Sequence, residues 1–409
     1  MTGKIIQARP DDMTDNNNKR SHVTSIEEDR ISNLPDHFID SILERVPIED
    51  AILKQILTLH KGPILNFHLR IPKLPFDSFQ EVDECMLLLS RKGATDVMLS
   101  NSNGSHYQLP SDVLFSCQEL KTLKLHNFLF KPPLEFKGSS LYNVEHLHLS
   151  DVDFGDSLWS NESINLPKLK NLTMCVCKNT HNFNINATNL EIFGVCDFHD
   201  VRLLRFFNNP CLTRVHISSR PKPKEDLARV EKTTFSMMLS NLPKIKHFLI
   251  NNHFLKAFTA EIIPKWLPHP LNCLEDLLLR GFQLGNLDDL NHALFLVRNS
   301  PNLKELCMIQ DEMGPVVDVE PALNHLESPN CLDCTLSRLE TVDIKFFEGS
   351  RPELLFIKLL LAHSPSLKKL TITPTDVEKT PIIAKDVMEF PRASPNAEMI
   401  YLNPPPKMS

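Results

Sequence analysis

The chain has 409 residues, enough to bury a sizeable core and more than one small domain needs. Apolar residues make up 42% and charged residues 23%, the balance of a soluble globular protein, and a formal net charge of -7 argues against a general basic surface for a nucleic-acid backbone. The most apolar stretch, Leu354 to Ala362, is short and interrupted by Lys358, so neither a transmembrane helix nor a membrane partner is expected.

Residues 1–28 are polar, rich in Asp and Asn, and have no apolar h-region; they read as a disordered tail and not as a signal peptide. Without a secretory signal, the Asn-x-Ser/Thr sites at Asn103, Asn161, Asn171 and Asn186 are expected to stay unglycosylated. The ten cysteines then read as free thiols, and the expected location is the cytoplasm, the nucleus or both.

Residues 29–62 form the next segment. Pro35 suits a first helical position and Asp36 a first turn. Leu34, Phe38, Ile39, Ile42, Leu43 and Val46 give one broad apolar side at three- and four-residue spacing, and Pro47 stops the helix. Ile48, Ala51, Ile52, Ile56 and Leu59 then carry a second helical apolar face toward the stop at Gly62-Pro63.

From residue 63 to 335 the dominant signal is a repeat. The pattern Leu-x-x-Leu-x-Leu, with apolar substitutes, opens weakly at Ile64-Phe67-Leu69 and Ala94-Val97-Leu99. Clear copies follow at Leu120-Leu123-Leu125, Val144-Leu147-Leu149, Leu169-Leu172-Met174, Leu190-Phe193-Val195 and Leu212-Val215-Ile217. Three more come at Ile245-Phe248-Ile250, Leu274-Leu277-Leu279 and Leu303-Leu306-Met308. Several open on a shared phrase, as in Leu166-Pro167-Lys168-Leu169 and Ser300-Pro301-Asn302-Leu303. The last two apolar positions of each copy are two apart and share one face of a strand. One such strand cannot bury that face alone, whereas stacked copies make a continuous core. The expected fold class is α/β: a leucine-rich-repeat solenoid with a curved parallel sheet, its intervals at times longer than the usual ~20–29 residues. Leu287 to Arg298 reads as a helix between repeats, with Asp288 and Asp289 early and Arg298 last.

Residues 336–377 continue the pattern with Leu339-Val342-Ile344, then Phe347-Glu348-Gly349, a helix opened by Pro352 and Glu353, and Leu367-Leu370-Ile372. Residues 378–409, ending near Pro404-Pro405-Pro406, read as a tail.

The run from Asp29 to Ala51, with Leu34-Pro35 opening one helix and Pro47 the next, resembles the first half of a plant F-box, and the order of motifs in 336–377 resembles the FBD segment that follows leucine-rich repeats in that family. The chain is thus similar to plant F-box/FBD/leucine-rich-repeat proteins. The resemblance implies a substrate-recognition subunit of a Skp–cullin–F-box ubiquitin ligase. In that role Leu34, Pro35, Phe38, Ile39, Ile42, Leu43 and Pro47 would meet the Skp-type adaptor, and the repeats would hold a target protein. The second half of the F-box, with its tryptophans and third helix, does not follow Ala51, since the only tryptophans are Trp159 and Trp266. The alternative is therefore a leucine-rich-repeat interaction module that no longer recruits the ligase.

Strand alternation sends the residues flanking the apolar positions to the open face of the sheet. Among them Lys124, His126, His146, His148, Arg214, His216, His247 and Arg280 are the candidate target-binding residues. His126, His146 and His148 have the ligand type zinc takes, but a mixed polar protein-binding surface is the ordinary explanation. Cys331-x-x-Cys334 lacks the second pair of a zinc site. No phosphate loop, nucleophile elbow or metalloprotease helix occurs, so no catalytic residue, cofactor or metal is assigned and no enzyme is expected.

Overall fold

The computed structural model describes residues 2–6, 58, 64–71, 79–102, 104, 106–108, 117–130, 141–155, 164–180, 183, 185–197, 206–207, 209–220, 235–256, 264–310 and 318–403. They divide into two compact units, residues 1–190 and 191–409.

In the first unit the strands β1 (Thr2–Ile6), β2 (Asn66–Ile71), β3 (Asp96–Asn101), β5 (Thr122–His126), β7 (His146–Ser150) and β9 (Asn171–Cys175) lie side by side in that order. All neighbours are parallel except β1, which runs antiparallel to β2. Helix α1 (Phe79–Arg91) connects β2 to β3. Short parallel ladders join β4 (Tyr107–Gln108) to β6 (Phe128–Leu129) and β8 (Ile164–Asn165) to β10 (Ile185–Asn186). Aromatic rings fill the layer behind the sheet: Phe154 stacks on Phe183 at 4.6 Å and meets Phe130 edge-on at 6.2 Å.

The second unit holds β11 (Ile192–Cys196), β12 (Arg214–Ser218), β13 (His247–Asn251), β14 (Asp276–Arg280), β15 (Glu305–Ile309), β16 (Thr341–Phe347), β17 (Lys369–Pro374) and β18 (Glu398–Tyr401). They are parallel neighbours in chain order. Between them run α2 (Phe235–Ser240), α3 (Asn252–Leu255), α4 (Leu287–Arg298), α5 (Glu320–Glu327), α6 (Arg351–His363) and α7 (Thr380–Met388). The two helices expected from the sequence are present. Asn286 caps α4 through a bond from the Asp289 amide at 3.0 Å, and Glu353 in the first turn of α6 accepts from the Ser350 amide at 2.7 Å.

The repeat pattern maps directly onto the core. All three apolar positions of every copy, from Ile64 to Ile372, are at most 3% exposed. The recurring Leu-Pro and Ser-Pro phrases are β-turns. The amide of the first apolar residue donates to the carbonyl three residues back, as in Leu169 to Leu166 (3.1 Å), Leu303 to Ser300 (3.1 Å) and Leu367 to Ser364 (3.3 Å). Proline then occupies the second turn position, where its fixed φ is an advantage. The third turn residue reaches the preceding repeat: Asn189 donates to the Pro167 carbonyl at 2.7 Å and Asn302 to that of Asn272 at 2.8 Å.

A ladder of opposite charges runs beside these turns. In the second unit Lys246, Glu275, Lys304, Glu340 and Lys368 occupy the same place in successive repeats, with Lys304 2.9 Å from Glu275 and Lys368 2.5 Å from Glu340. In the first unit Lys170 meets Glu145 at 2.6 Å. These pairs are solvent-exposed and contribute little to stability, but they oppose a wrong neighbour.

Three expectations need correction. Thr2–Ile6, read as part of a tail, is a strand pairing with Asn66 to Arg70 of β2. It gives the edge of the parallel sheet a partner for its backbone groups. Residues 378–409 are not a tail over their described length: α7 packs Ile383 and Val387 inward, and β18 adds to β17. The phrase Ser394-Pro395-Asn396-Ala397 repeats the turn, but alanine stands where other copies have leucine, so the apolar pattern fades. Gly349, at φ +78°, lets α7 approach so closely that a Cβ there would meet Ile383 at 3.0 Å. Finally, Asn251, Thr371 and Thr373, on the face expected to be open, are buried. Asn251 turns inward because its side chain accepts from the Ser219 and Phe254 amides and donates to the Ser219 carbonyl.

Leu277 is 2% exposed and Asp276, one residue earlier, faces outward. Leu277→Asp buries an unpaired charge in the stack and is expected to cost at least about 3 kcal/mol, against about 1 kcal/mol or less for Asp276→Ala. Thermal denaturation of both variants checks this; equal melting temperatures would contradict the register.

Candidate partner-binding surface

In the second unit the outward residues of four neighbouring strands form a grid. Cross-strand pairing aligns Arg214, His247, Asp276 and Glu305 in one row and His216, Leu249, Leu278 and Cys307 in the next. These residues line an open groove of about 320 Å³. Its floor is apolar, from Leu249, Leu278 and Cys307. The side chains of His247 and Asp276 meet across β13 and β14.

Electrostatics differ along the groove. His216 is held below the ordinary histidine value of 6.5, first by burial and then by the Arg280 guanidinium. The Cys307 thiol is pushed up to about 11 by burial, with the Asp343 carboxylate adding to the effect, so it stays protonated and is no nucleophile at neutral pH. Asp343 on β16 keeps one buried carboxylate oxygen without a hydrogen-bond partner while its other oxygen lies 3.4 Å from Lys345.

Of the target-binding residues expected from the sequence, Arg214, His216 and His247 line this groove and Arg280 stands on β14 beside it. Lys124, His126, His146 and His148 make a separate patch on β5 and β7 of the first unit. There Lys124 pairs across strands with His148, and His126 Nδ1 lies 3.3 Å from Ser150 Oγ. His148 titrates below 6.5 through burial first, then the nearby Lys124 and His146 charges. Among the described residues no group of three or more His, Cys, Asp or Glu is placed to hold a metal ion. The adaptor-binding residues Leu34, Pro35, Phe38, Ile39, Ile42, Leu43 and Pro47 lie outside the described residues.

Sequence reasoning placed Leu249, Leu278, Asp276, Glu305 and Cys307 on the open face by strand alternation, but it chose only the basic members as target-binding residues. The signal for them was available, since they occupy the same alternating strand positions. Choosing by residue type alone hid the apolar floor and the acidic end.

Cys331 and Cys334 are free, and burial raises both thiols, Cys331 to about 11.

Parallel strands repeating every few tens of residues, with a buried apolar triplet in each, define a leucine-rich-repeat protein. Comparison with known proteins narrows this. Residues 82–268 match the family described as "FBD-associated F-box protein At5g56370, LRR repeats", and residues 329–372 match the FBD family. An F-box/FBD/LRR-repeat protein of Arabidopsis thaliana is 27% identical over 91% of this chain and 98% of its own length. A second Arabidopsis protein, a putative F-box/FBD/LRR-repeat protein, is 31% identical over 29% of this chain and 30% of its own length. A solved internalin from Listeria monocytogenes overlaps loosely, with 13% identity, a TM-score of 0.36, and 88% of this chain and 92% of that one covered. The chain is thus similar to plant F-box/FBD/leucine-rich-repeat proteins, with its repeats and its FBD segment both matched.

The histidine environments predict a titration. Nuclear magnetic resonance should place both His148 and His216 below 6.5. Arg280→Ala should raise the His216 value only part of the way, because burial is the larger cause. A lowered folded-state value means His216 supports the fold above about 6.5 and loses that contribution as pH falls through its folded value. An unchanged His216 titration in the variant would separate it from Arg280.

Proposed function

We propose that the chain is the substrate-recognition subunit of a Skp–cullin–F-box E3 ubiquitin ligase. The N-terminal segment of residues 29–62 holds a Skp-type adaptor, and the outward face of the repeats holds a target protein. The observation that carries this reading is similarity to an F-box/FBD/LRR-repeat protein over 91% of the chain. The groove on β12–β15 supports it by offering an apolar floor with charged ends. The chain does no chemistry of its own and acts in the cytoplasm or nucleus, raising the target's local concentration near the ligase's catalytic subunits.

A second reading has its own support. The sequence after Ala51 lacks the remainder of the F-box, and the tryptophans of the chain are Trp159 and Trp266. On this reading the chain is an interaction module that no longer recruits the ligase.

Titration with a Skp-type adaptor decides between them. A few buried contacts carry most of an interface's energy, so half a module retains measurable but weakened binding. The Leu34→Ala/Pro35→Ala double variant is expected to lose that binding, and a chain with a complete family F-box restored after Ala51 to gain affinity. If the wild type and the double variant are both silent while the restored chain binds, the ligase role fails and the second reading stands.

A further inference from the structure

We propose that the groove on β12–β15 takes an extended segment of the target protein whose side chains read acidic, apolar and basic along its length. The inference rests on the reading of this face as the target-binding surface and adds the class of segment it selects.

The two ends of the groove carry opposite unmatched charge. At one end Arg214 on β12 is exposed and makes no ion pair among the described residues. His216 lies beside it in the sequence on the same face, with Arg280 nearby, so the local field there is positive. At the other end Glu305 on β15 is exposed and its carboxylate makes no ion pair among the described residues. Between them Asp276 and His247 are already engaged with each other in a direct side-chain contact. What remains at the centre is the floor of Leu249, Leu278 and Cys307, whose thiol stays neutral.

Dimensions set the length of the occupant. Strands lie ~4.8 Å apart, so the three spacings from β12 to β15 span roughly 14 Å. An extended chain advances ~3.3 Å per residue, so about four to five residues bridge the poles. A central leucine-sized side chain covers the apolar floor, an acidic side chain meets Arg214, and a basic one meets Glu305. Each charged partner answers a group the protein itself leaves unmatched, so binding need not break an existing pair.

The test uses the full chain and labelled peptides with the cores Asp-Ala-Leu-Ala-Lys, Asp-Ala-Leu-Ala-Asp, Lys-Ala-Leu-Ala-Lys and Asp-Ala-Ser-Ala-Lys, read by fluorescence anisotropy. The mixed-charge leucine peptide is expected to bind about two- to fivefold more tightly than either like-charge peptide, the range of one exposed ion pair. It should also outbind the serine control. Arg214→Glu makes both ends acidic and should move the preference to the dibasic peptide. Glu305→Arg makes both ends basic and should move it to the diacidic one. Binding of all four peptides that neither variant changes overturns the charge order while leaving the ligase role intact. No binding of any peptide, with adaptor binding retained, overturns the groove as a peptide site. Loss of adaptor binding with the charge preference preserved removes the ligase role alone.

Discussion

The rest of the structure depends on the closed turn before each strand. Its hydrogen bond, from the first apolar amide to the carbonyl three residues back, delivers the chain into the sheet at a fixed point of its course. The first apolar residue is thereby anchored in the core, and the next two follow by strand alternation. Because neighbouring turns are also bonded to each other through side chains such as Asn302, each strand enters in step with the last. Burial of the apolar triplets supplies the driving force. The turn decides where that burial happens, and a slip of one residue would send the whole triplet outward.

That division of labour explains what could be read from the sequence. The triplets are periodic and strongly apolar, so the twelve strands that carry them, and helices such as Leu287–Arg298 with their end signals, were legible. What escaped was carried by other means. Thr2–Ile6 joins the sheet through backbone pairing, which no side-chain pattern announces. The last repeat keeps its Ser394-Pro395 turn but replaces the anchoring leucine with Ala397, so only the turn marks it. Asn251 follows strand alternation in sequence but is drawn inward by the amides of Ser219, just after β12, and Phe254 in α3, a contact made in three dimensions. At the groove the positions were legible and their chemistry was not, because the apolar floor appears only when Leu249, Leu278 and Cys307 stand side by side.

The same scaffold explains how a binding surface is specified without destabilising the protein. Outward positions in the grid are largely free of duties in the core, so among the described residues Arg214 and Glu305 remain unpaired at little cost while the triplets beneath them are buried throughout. A repeat family can vary such positions independently of its turns. The FBD segment, residues 329–372 in this chain, is built on the same plan, with β16 and β17 as repeats and α6 as the long element between them. It is continuous with the solenoid and gives the sheet further strands.

The alternating lysines and glutamates beside the turns also bear on how such a chain can change length over evolutionary time. Lys246, Glu275, Lys304, Glu340 and Lys368 form a sequence of period two laid over repeats of period one. Loss of the single repeat containing Lys304 would bring Glu275 against Glu340, and loss of the one containing Glu340 would bring Lys304 against Lys368. Removal or duplication of two adjacent repeats together preserves every opposite-sign neighbour. Gain or loss of repeats in pairs therefore leaves the charge order intact, whereas a single loss sets like charges side by side, although each exposed pair adds little to stability.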